Sequence, residues 1–174
     1  LNFDEPFSKL FTQGILYKDG AKMSKSKGNV VTQDDMVKKY GVDAVRVFLL
    51  GLAHPAKTVE WDNNGIEAAY KFINRVYGLK DKAKSENKRF DRHLISKTNK
   101  FVKEVGENIE DFNFNIALIK VQEFANYLSK VKRDVSSKVF EDAFKKFLIV
   151  FSCFAPHVCE EFHEYHNEGY VSLS

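Results

Sequence analysis

Residues 140–154 read FEDAFKKFLIVFSCF, and large apolar side chains recur in this stretch at helical spacing. They are Phe140, Phe144, Phe147, Leu148, Phe151 and Phe154. Positions three and four apart lie on one face of an α-helix, so these side chains form an apolar stripe that must be buried. We therefore interpret the phenylalanines as core residues and not as a ligand-binding box.

The same spacing recurs in three earlier segments. Their recurring positions are Ile66, Ala69, Tyr70, Ile73, Val76 and Tyr77; Leu94, Thr98, Phe101, Val102, Val105 and Ile109; and Phe114, Ala117, Leu118, Val121, Ala125 and Leu128. Four amphipathic helices in succession, joined by short polar connectors, are typical of an antiparallel helical bundle. A further helix is predicted from Pro156, which suits a first helical position, to about His166.

The chain before the bundle has a mixed character. Residues 15–17 and 30–31 are short β-prone runs bracketed by glycine and Asp-Gly turn signals. Thr32 is a suitable N-cap for a short helix, with Asp35 in the position of a capping box. Gly41 is expected to end that helix.

A second helix, apolar on nearly all sides, is predicted over residues 44–52, with Asp43 as its cap. The fold class that follows is mainly α: an antiparallel helical bundle preceded by a short mixed α/β region. The change of character near Trp61 predicts two parts, residues 1–60 and residues 61–174.

Composition bounds the class of protein. Of the 174 residues, 44% are hydrophobic and 16 are phenylalanine, which is enough for a real core. No apolar run approaches the roughly 18 residues of a membrane span, so we expect no membrane partner. The net charge of +3 is too small to indicate nucleic-acid binding by itself. The two cysteines lie outside any disulfide framework, and a reduced, cytoplasmic location is expected.

Residues 22–29, KMSKSKGN, are called the lysine loop here. Its lysines alternate with small and hydroxyl-bearing residues, which together offer charge and hydrogen bonds to one polyanion. Gly28 lets the backbone approach a ligand closely. Phosphate is the expected anion, although the spacing is neither that of a Walker loop nor that of G-x-G-x-x-G. A solvated turn without a ligand is the alternative interpretation of the same residues.

The first five loop residues, Lys22-Met23-Ser24-Lys25-Ser26, match the KMSKS signature of class I aminoacyl-tRNA synthetases letter for letter. Further stretches resemble the leucyl-tRNA synthetase family in the same order, and the resemblance covers essentially the whole chain. They are EPFSKLFTQGILYKDGAKMSKSKGNVV, YGVDAVRVFLL, VEWDNNGIEAAYKFINRVYGL, FNFNIALIKVQEFANYL and FAPHVCEEFHEY. KMSKS is shared by several class I enzymes, whereas Glu60-Trp61 with the following Gly-Ile-Glu helix points to the leucine enzyme.

The resemblance implies a role for each loop residue. The loop would close over ATP while the leucine carboxylate attacks the α-phosphorus and pyrophosphate leaves. Lys25 would be the main electrostatic stabiliser of the leaving phosphates, with Lys22 supporting it. Met23 would lie near adenine, and Ser24 and Ser26 would complete the ATP-binding loop. We expect the loop to be mobile without ATP, since it must open to admit the nucleotide.

The resemblance also implies partners outside the chain. The family's second ATP motif, His-Ile-Gly-His, does not occur in the sequence. ATP and Mg²⁺ would therefore be held mainly by other parts of the synthetase, its nucleotide-binding and editing domains, and the isolated chain is expected to be inactive. Because the chain begins with Leu1 and its first methionine is Met23, we expect it to be a piece of a longer protein. Residues 1–60 would end the catalytic region, and residues 61–174 would form the anticodon-binding bundle.

The bundle is expected to bind tRNA(Leu). Its candidate phosphate contacts are Lys97, Lys100, Lys103, Lys130, Lys132, Arg133, Lys138, Lys145 and Lys146. Such contacts would give salt-sensitive affinity that is independent of sequence. For any single lysine, a solvated polar face is an equally open interpretation.

Two further patterns could indicate a metal site or a base-stacking site. Cys153, His157, Cys159 and His163 have a zinc-like spacing, but on one helix the pairs point about 120° apart at about 100° per residue, so packing and surface roles are favoured. Trp61 is interpreted as a core residue and not as a base-stacking platform.

The sequence is compatible with two functions. The first is a fragment of a leucine–tRNA ligase. The second is a split subunit, or a free-standing tRNA-binding paralogue without catalysis. A scaffold bundle without an RNA role would leave the intact KMSKS sequence unexplained.

Overall fold

The phenylalanine-rich stretch forms the centre of the molecule. The computed structural model describes residues 7, 9–79 and 85–166, with the backbone alone for residues 163–166. Phe140 to Phe154 run through helix α6 (Ser137–Ser152) and the turn after it, and all six predicted core positions are buried. Phe147 has no exposed surface and its ring lies 5.5 Å from that of Phe151. The interpretation of these residues as core is confirmed.

Four other helices complete the bundle. They are α3 (Asn63–Tyr77), α4 (Asp91–Glu110), α5 (Phe114–Val131) and α7 (Pro156–His166). Helix α4 packs against both α5 and α6, and α7 packs back on α6. The stacked rings of Phe101 and Phe124, 4.2 Å apart, join α4 to α5. The predicted mainly helical bundle is confirmed, including a last helix that begins at Pro156.

In the mixed region before the bundle, the described residues form three short strands, one 3₁₀ turn and two α-helices. The strands are β1 (Leu16–Lys18), β2 (Ala21–Lys22) and β3 (Val59–Glu60), and they form a sheet in the order β2-β1-β3. Strands β1 and β2 are antiparallel, whereas β1 and β3 are parallel, with Leu16 opposite Val59. The helices are α1 (Gln33–Tyr40) and α2 (Val42–Gly51).

Gly14 sets the close approach of two chain segments beside this sheet. Its N–H donates to the carbonyl of Pro55 at 2.7 Å. A Cβ at position 14 would lie 2.0 Å from the Lys57 carbonyl oxygen, so a larger residue would force the segments apart. Residues 55–60 are thereby brought alongside β1.

Helix α2 connects the two regions. Ala44, Val45, Val47 and Phe48 are buried, and α2 packs against α3, α5 and α7. The ring of Phe48 meets the half-buried Trp61 edge to face at 4.9 Å. The indole N–H donates to Asn63 at 2.8 Å, so Trp61 is a packed residue at the edge of the core, as expected.

Two local predictions were wrong, and a third, the cap of α1, was right in its residue but not in its bonding. Residues 30–31 form no strand, and their place in the sheet is taken by β2 and β3. Thr32 is the N-cap of α1, but its hydroxyl donates to the Asp35 carboxylate instead of accepting a backbone N–H. Helix α2 begins at Val42 after Gly41, and Asp43 lies inside its first turn. The Asp43 carboxylate accepts its hydrogen bonds from α7, because tertiary packing brings that helix start within reach.

Among the described residues, no helix is long and apolar enough to cross a bilayer.

Candidate nucleotide loop and RNA surface

The lysine loop follows a tight hairpin. Strands β1 and β2 are joined by Asp19 and Gly20, both with positive φ (56° and 71°), as a two-residue hairpin turn requires. The Gly20 N–H donates to the Glu60 carboxylate at 3.0 Å, which ties the turn to β3. Lys22 ends β2, so the first loop lysine starts from an anchored strand.

The rest of the loop is a single turn of 3₁₀-helix. The turn spans Lys25–Lys27, with Ser24 as its N-cap and Gly28 as its C-cap. Gly28 has a φ of 66°, in the left-handed region that glycine adopts without strain, and its N–H donates to the Lys25 carbonyl at 3.2 Å. The hydroxyl oxygens of Ser24 and Ser26 lie 3.2 Å apart. The turn therefore brings two of the predicted site residues together.

Asn29 holds the two ends of the loop together. Its side-chain oxygen accepts the Ser24 N–H at 2.9 Å. Its amide nitrogen lies 3.3 Å from the Lys18 carbonyl and 3.4 Å from each of the carbonyls of Ala21 and Lys22. Sequence reasoning missed this residue, although the Gly-Asn pair that closes the loop was a signal for a turn.

The side chains of the loop divide by exposure. Lys22, Lys25 and Lys27 are exposed, whereas Met23 and Ser24 are half-buried. The backbone is thus tied down while the ammonium groups face solvent. Such an arrangement presents several mobile positive charges from a fixed base, which suits a polyphosphate.

Three of the predicted RNA-binding lysines on the helix faces form ion pairs with acidic residues. Lys100 pairs with Glu104 at 3.4 Å, and Lys103 pairs with Glu107 at 3.8 Å. Lys146 pairs with Asp142 at 2.8 Å. The Lys97 ammonium instead lies over the Tyr127 ring, 5.1 Å from its centre. These faces carry mixed charge, which favours the interpretation of a solvated polar surface there.

A different group of cations gathers at one end of the bundle. The turn between α5 and α6 is hydrogen-bonded to residues 85–91: the Ser137 N–H donates to the Ser85 carbonyl at 3.0 Å, and the Ser136 N–H donates to Asp91 at 2.8 Å. This contact places Lys88 and Arg89 beside the cations of the α5–α6 turn, in a region that also holds Glu86, Asp91 and Asp134. We call the resulting group the basic end; its members are Lys88, Arg89, Lys130, Lys132, Arg133 and Lys138.

The residues with zinc-like spacing near α7 differ in burial and in their partners. Cys159 is buried, and burial raises the pKa of its thiol, whereas Cys153 is exposed. His157 donates to Asp43 at 2.9 Å. Within the described residues there is no group of three or more His, Cys, Asp or Glu placed to hold a metal ion.

Comparison with known families gives two matches in succession. The family described as "Anticodon-binding domain of tRNA ligase" matches residues 91–174. The family described as "tRNA synthetases class I (I, L, M and V)" matches residues 1–62. The region matched by the anticodon-binding family contains the basic end apart from Lys88 and Arg89. The region matched by the class I synthetase family contains the lysine loop.

Individual relatives are similar over nearly the whole chain. The leucine–tRNA ligase of Thermotoga petrophila is 42% identical over 99% of this chain. The leucine–tRNA ligase of Syntrophobacter fumaroxidans is 39% identical over 92% of it. This chain spans only 23% and 22% of the lengths of those two proteins.

A solved structure has the same fold. The crystal structure of the Agrobacterium radiobacter K84 agnB2 LeuRS–tRNA–LeuAMS ternary complex matches with a TM-score of 0.89 and 27% identity. The match covers 98% of this chain and 24% of that one.

Proposed function

Because the chain belongs to the leucyl-tRNA synthetase family of the class I aminoacyl-tRNA synthetases, we propose that it is one part of a leucine–tRNA ligase. The complete protein would activate leucine with ATP and transfer it to tRNA(Leu). The observation that carries the proposal is the lysine loop: three exposed lysines lie in a loop whose two ends are held together by Asn29.

The proposed role of the loop is to stabilise charge during leucine activation. As the α-phosphorus is attacked, negative charge grows on the departing β,γ-phosphates. Lys25, at the start of the 3₁₀ turn, is assigned the main stabilising role, and Lys22 a supporting one. Stabilisation that exists only in the transition state raises the rate and not merely the affinity.

The remaining loop residues are assigned to ATP binding. Ser24 and Ser26 offer hydroxyls 3.2 Å apart, and the half-buried Met23 would lie toward the adenine. The residues of the chain do not by themselves account for Mg²⁺ binding, so the ion is assigned mainly to the rest of the ligase. When bound, Mg²⁺ would neutralise part of the phosphate charge.

The proposed role of the bundle is to bind tRNA(Leu). The basic end supports this, because its lysines and arginines come from two segments that the fold holds together. Phosphate contacts there would position the RNA without reading its sequence. We propose residues 1–60 as the end of the catalytic region and residues 61–174 as the tRNA-binding region.

Complementation in trans tests the proposal. This chain would be mixed with a separately produced remainder of the ligase, and leucine-dependent ATP–pyrophosphate exchange would be measured after co-purification shows that the two parts assemble. The proposal predicts that exchange appears only in the mixture and requires leucine. An assembled complex without exchange, with the wild-type loop present, would contradict it and favour a tRNA-binding protein without catalysis.

A further inference from the structure

Helix α2 reaches the corner between α6 and α7 with two oppositely charged side chains. The corner consists of residues 153–155, between the end of α6 at Ser152 and the start of α7 at Pro156. Asp43 and Arg46 lie three positions apart in α2, and therefore on one face of that helix. Both side chains bond to groups at this corner.

Asp43 binds the start of α7. Its carboxylate accepts the Val158 N–H at 2.7 Å and the His157 ring N–H at 2.9 Å. The Val158 N–H belongs to the first turn of α7, where backbone donors have no partner within the helix. Asp43 is only 7% exposed, so its bond to the Val158 N–H is shielded from water, whereas the His157 side chain is 69% exposed.

Arg46 binds the end of α6. Its Nε–H donates to the Phe154 carbonyl at 3.1 Å, and its Nη2 donates to the Cys153 carbonyl at 3.2 Å. These carbonyls lie at the negative end of the α6 dipole, while Asp43 faces the positive end of the α7 dipole. Each charge thus meets the helix end of opposite sign.

We call Asp43 and Arg46 together the clamp. Their hydrogen bonds fix the orientation of α2, which its apolar contacts do not. Ala44, Val47 and Phe48 bury α2 in the core, but burial of apolar surface specifies no single orientation. Hydrogen bonds from charged side chains to backbone groups do specify a single orientation. Only Gly41 separates α2 from α1, and α1 follows the lysine loop after residues 30–32.

We infer that Asp43 and Arg46 are positioning residues that hold the lysine-loop region in one orientation on the helical bundle. This inference rests on the proposed function. A tRNA held by the bundle can present its acceptor end correctly only if the loop region has a fixed place relative to the bundle. In the proposed function, leucine activation uses leucine and ATP, whereas transfer also uses the tRNA held by the bundle. The clamp would therefore serve transfer to tRNA more than leucine activation.

The test uses the full-length ligase and the variant Arg46→Met, which keeps the aliphatic stem of an exposed residue and removes its donors. Arg75→Met is the matched control, because it removes the same charge from α3, where Arg75 lies over the Phe72 ring. Two reactions are measured well below the melting temperature: leucine-dependent ATP–pyrophosphate exchange without tRNA, and leucylation of tRNA(Leu).

The expected result is a split between the two reactions. For Arg46→Met we expect exchange within about twofold of wild type and a leucylation kcat lower by about 10- to 100-fold, with little change in KM for tRNA. Arg75→Met should leave both reactions within about twofold of wild type. Asp43→Asn, which still offers an oxygen to Val158, should lose less leucylation activity than Asp43→Ala.

Two outcomes overturn the inference. If exchange and leucylation fall by the same factor, the clamp serves only the stability of the fold. If leucylation by Arg46→Met is unchanged, the orientation is fixed without the clamp. Failure of the proposed function is a separate result, since the wild-type enzyme would then lack leucine-dependent exchange altogether.

Discussion

At the scale of single residues, the lysine loop combines exposed lysines with one uncharged support, Asn29, whose side chain holds the two ends of the loop together. The lysines of KMSKS were recognisable in the sequence by type and spacing. Asn29 was not, because its bonds join the two ends of the loop and depend on the hairpin that folds β1 onto β2. Asp43 shows the same limit: its helix-cap chemistry was expected, but its partner lies in α7, far away in the chain.

Asn29→Ala should therefore impair the loop without removing any charge. The substitution deletes the acceptor of the Ser24 N–H and the donor to the Lys18 carbonyl, so the loop would sample more conformations. In the full-length ligase we expect leucine-dependent pyrophosphate exchange to fall about tenfold. The control is Asn108→Ala, which removes a side-chain hydrogen bond within α4, remote from the loop in the chain. Equal exchange rates for the two variants would refute the role given to Asn29.

At the scale of elements, helices were predicted far better than strands. Helix α6 carries a long periodic apolar stripe, and its neighbours carry similar ones, so the pattern itself specifies their buried faces. Strands β2 and β3 have two residues each and no period to detect. Strand β2 forms because the Asp19-Gly20 turn folds it back onto β1. Strand β3 forms because Gly14 and the Gly20–Glu60 bond hold residues 55–60 against β1.

Phe147→Ala tests the claim that α6 is the central element. Phe147 has no exposed surface, and its ring lies within 6.3 Å of the rings of Phe101, Phe124, Phe144 and Phe151. Truncation should leave a cavity and lower the free energy of unfolding by about 3–5 kcal/mol, measured by urea denaturation followed by circular dichroism. Ile119→Ala is the control, since Ile119 is 52% exposed and should cost less than about 1 kcal/mol. Similar losses for both variants would argue against this core.

At the scale of the whole molecule, the fold packs against one another segments that are far apart in the chain. Helix α2 lies in the same hydrophobic core as the bundle helices, and α1, which follows the lysine loop, packs against that core through Met36, Val37 and Tyr40. The mainly helical architecture followed from periodicity. The sequence also indicated four members of the basic end, which are Lys130, Lys132, Arg133 and Lys138. It did not indicate Lys88 and Arg89, because their segment joins the α5–α6 turn through tertiary hydrogen bonds such as that from the Ser85 hydroxyl to the Arg133 carbonyl.

Charge reversal at the basic end should weaken tRNA binding in a salt-dependent way. For Arg133→Glu with Lys138→Glu in the full-length ligase, we expect about tenfold weaker binding of tRNA(Leu), and a log–log salt slope smaller by roughly one to two. Filter binding between about 50 and 200 mM salt measures both quantities. Lys103→Glu is the control, because Lys103 already pairs with Glu107. An unchanged slope in the double variant would place the RNA elsewhere.

The central claim is that Lys25 stabilises the transition state of leucine activation, and one comparison tests it most directly. Leucine-dependent ATP–pyrophosphate exchange would be measured for full-length Lys25→Ala and Lys27→Ala, two exposed lysines of the same 3₁₀ turn. We predict that Lys25→Ala lowers kcat by roughly a few hundredfold with a smaller effect on the KM for leucine, and that Lys27→Ala changes kcat by less than about threefold. Unchanged exchange by Lys25→Ala, or equal losses for both variants, would contradict the account.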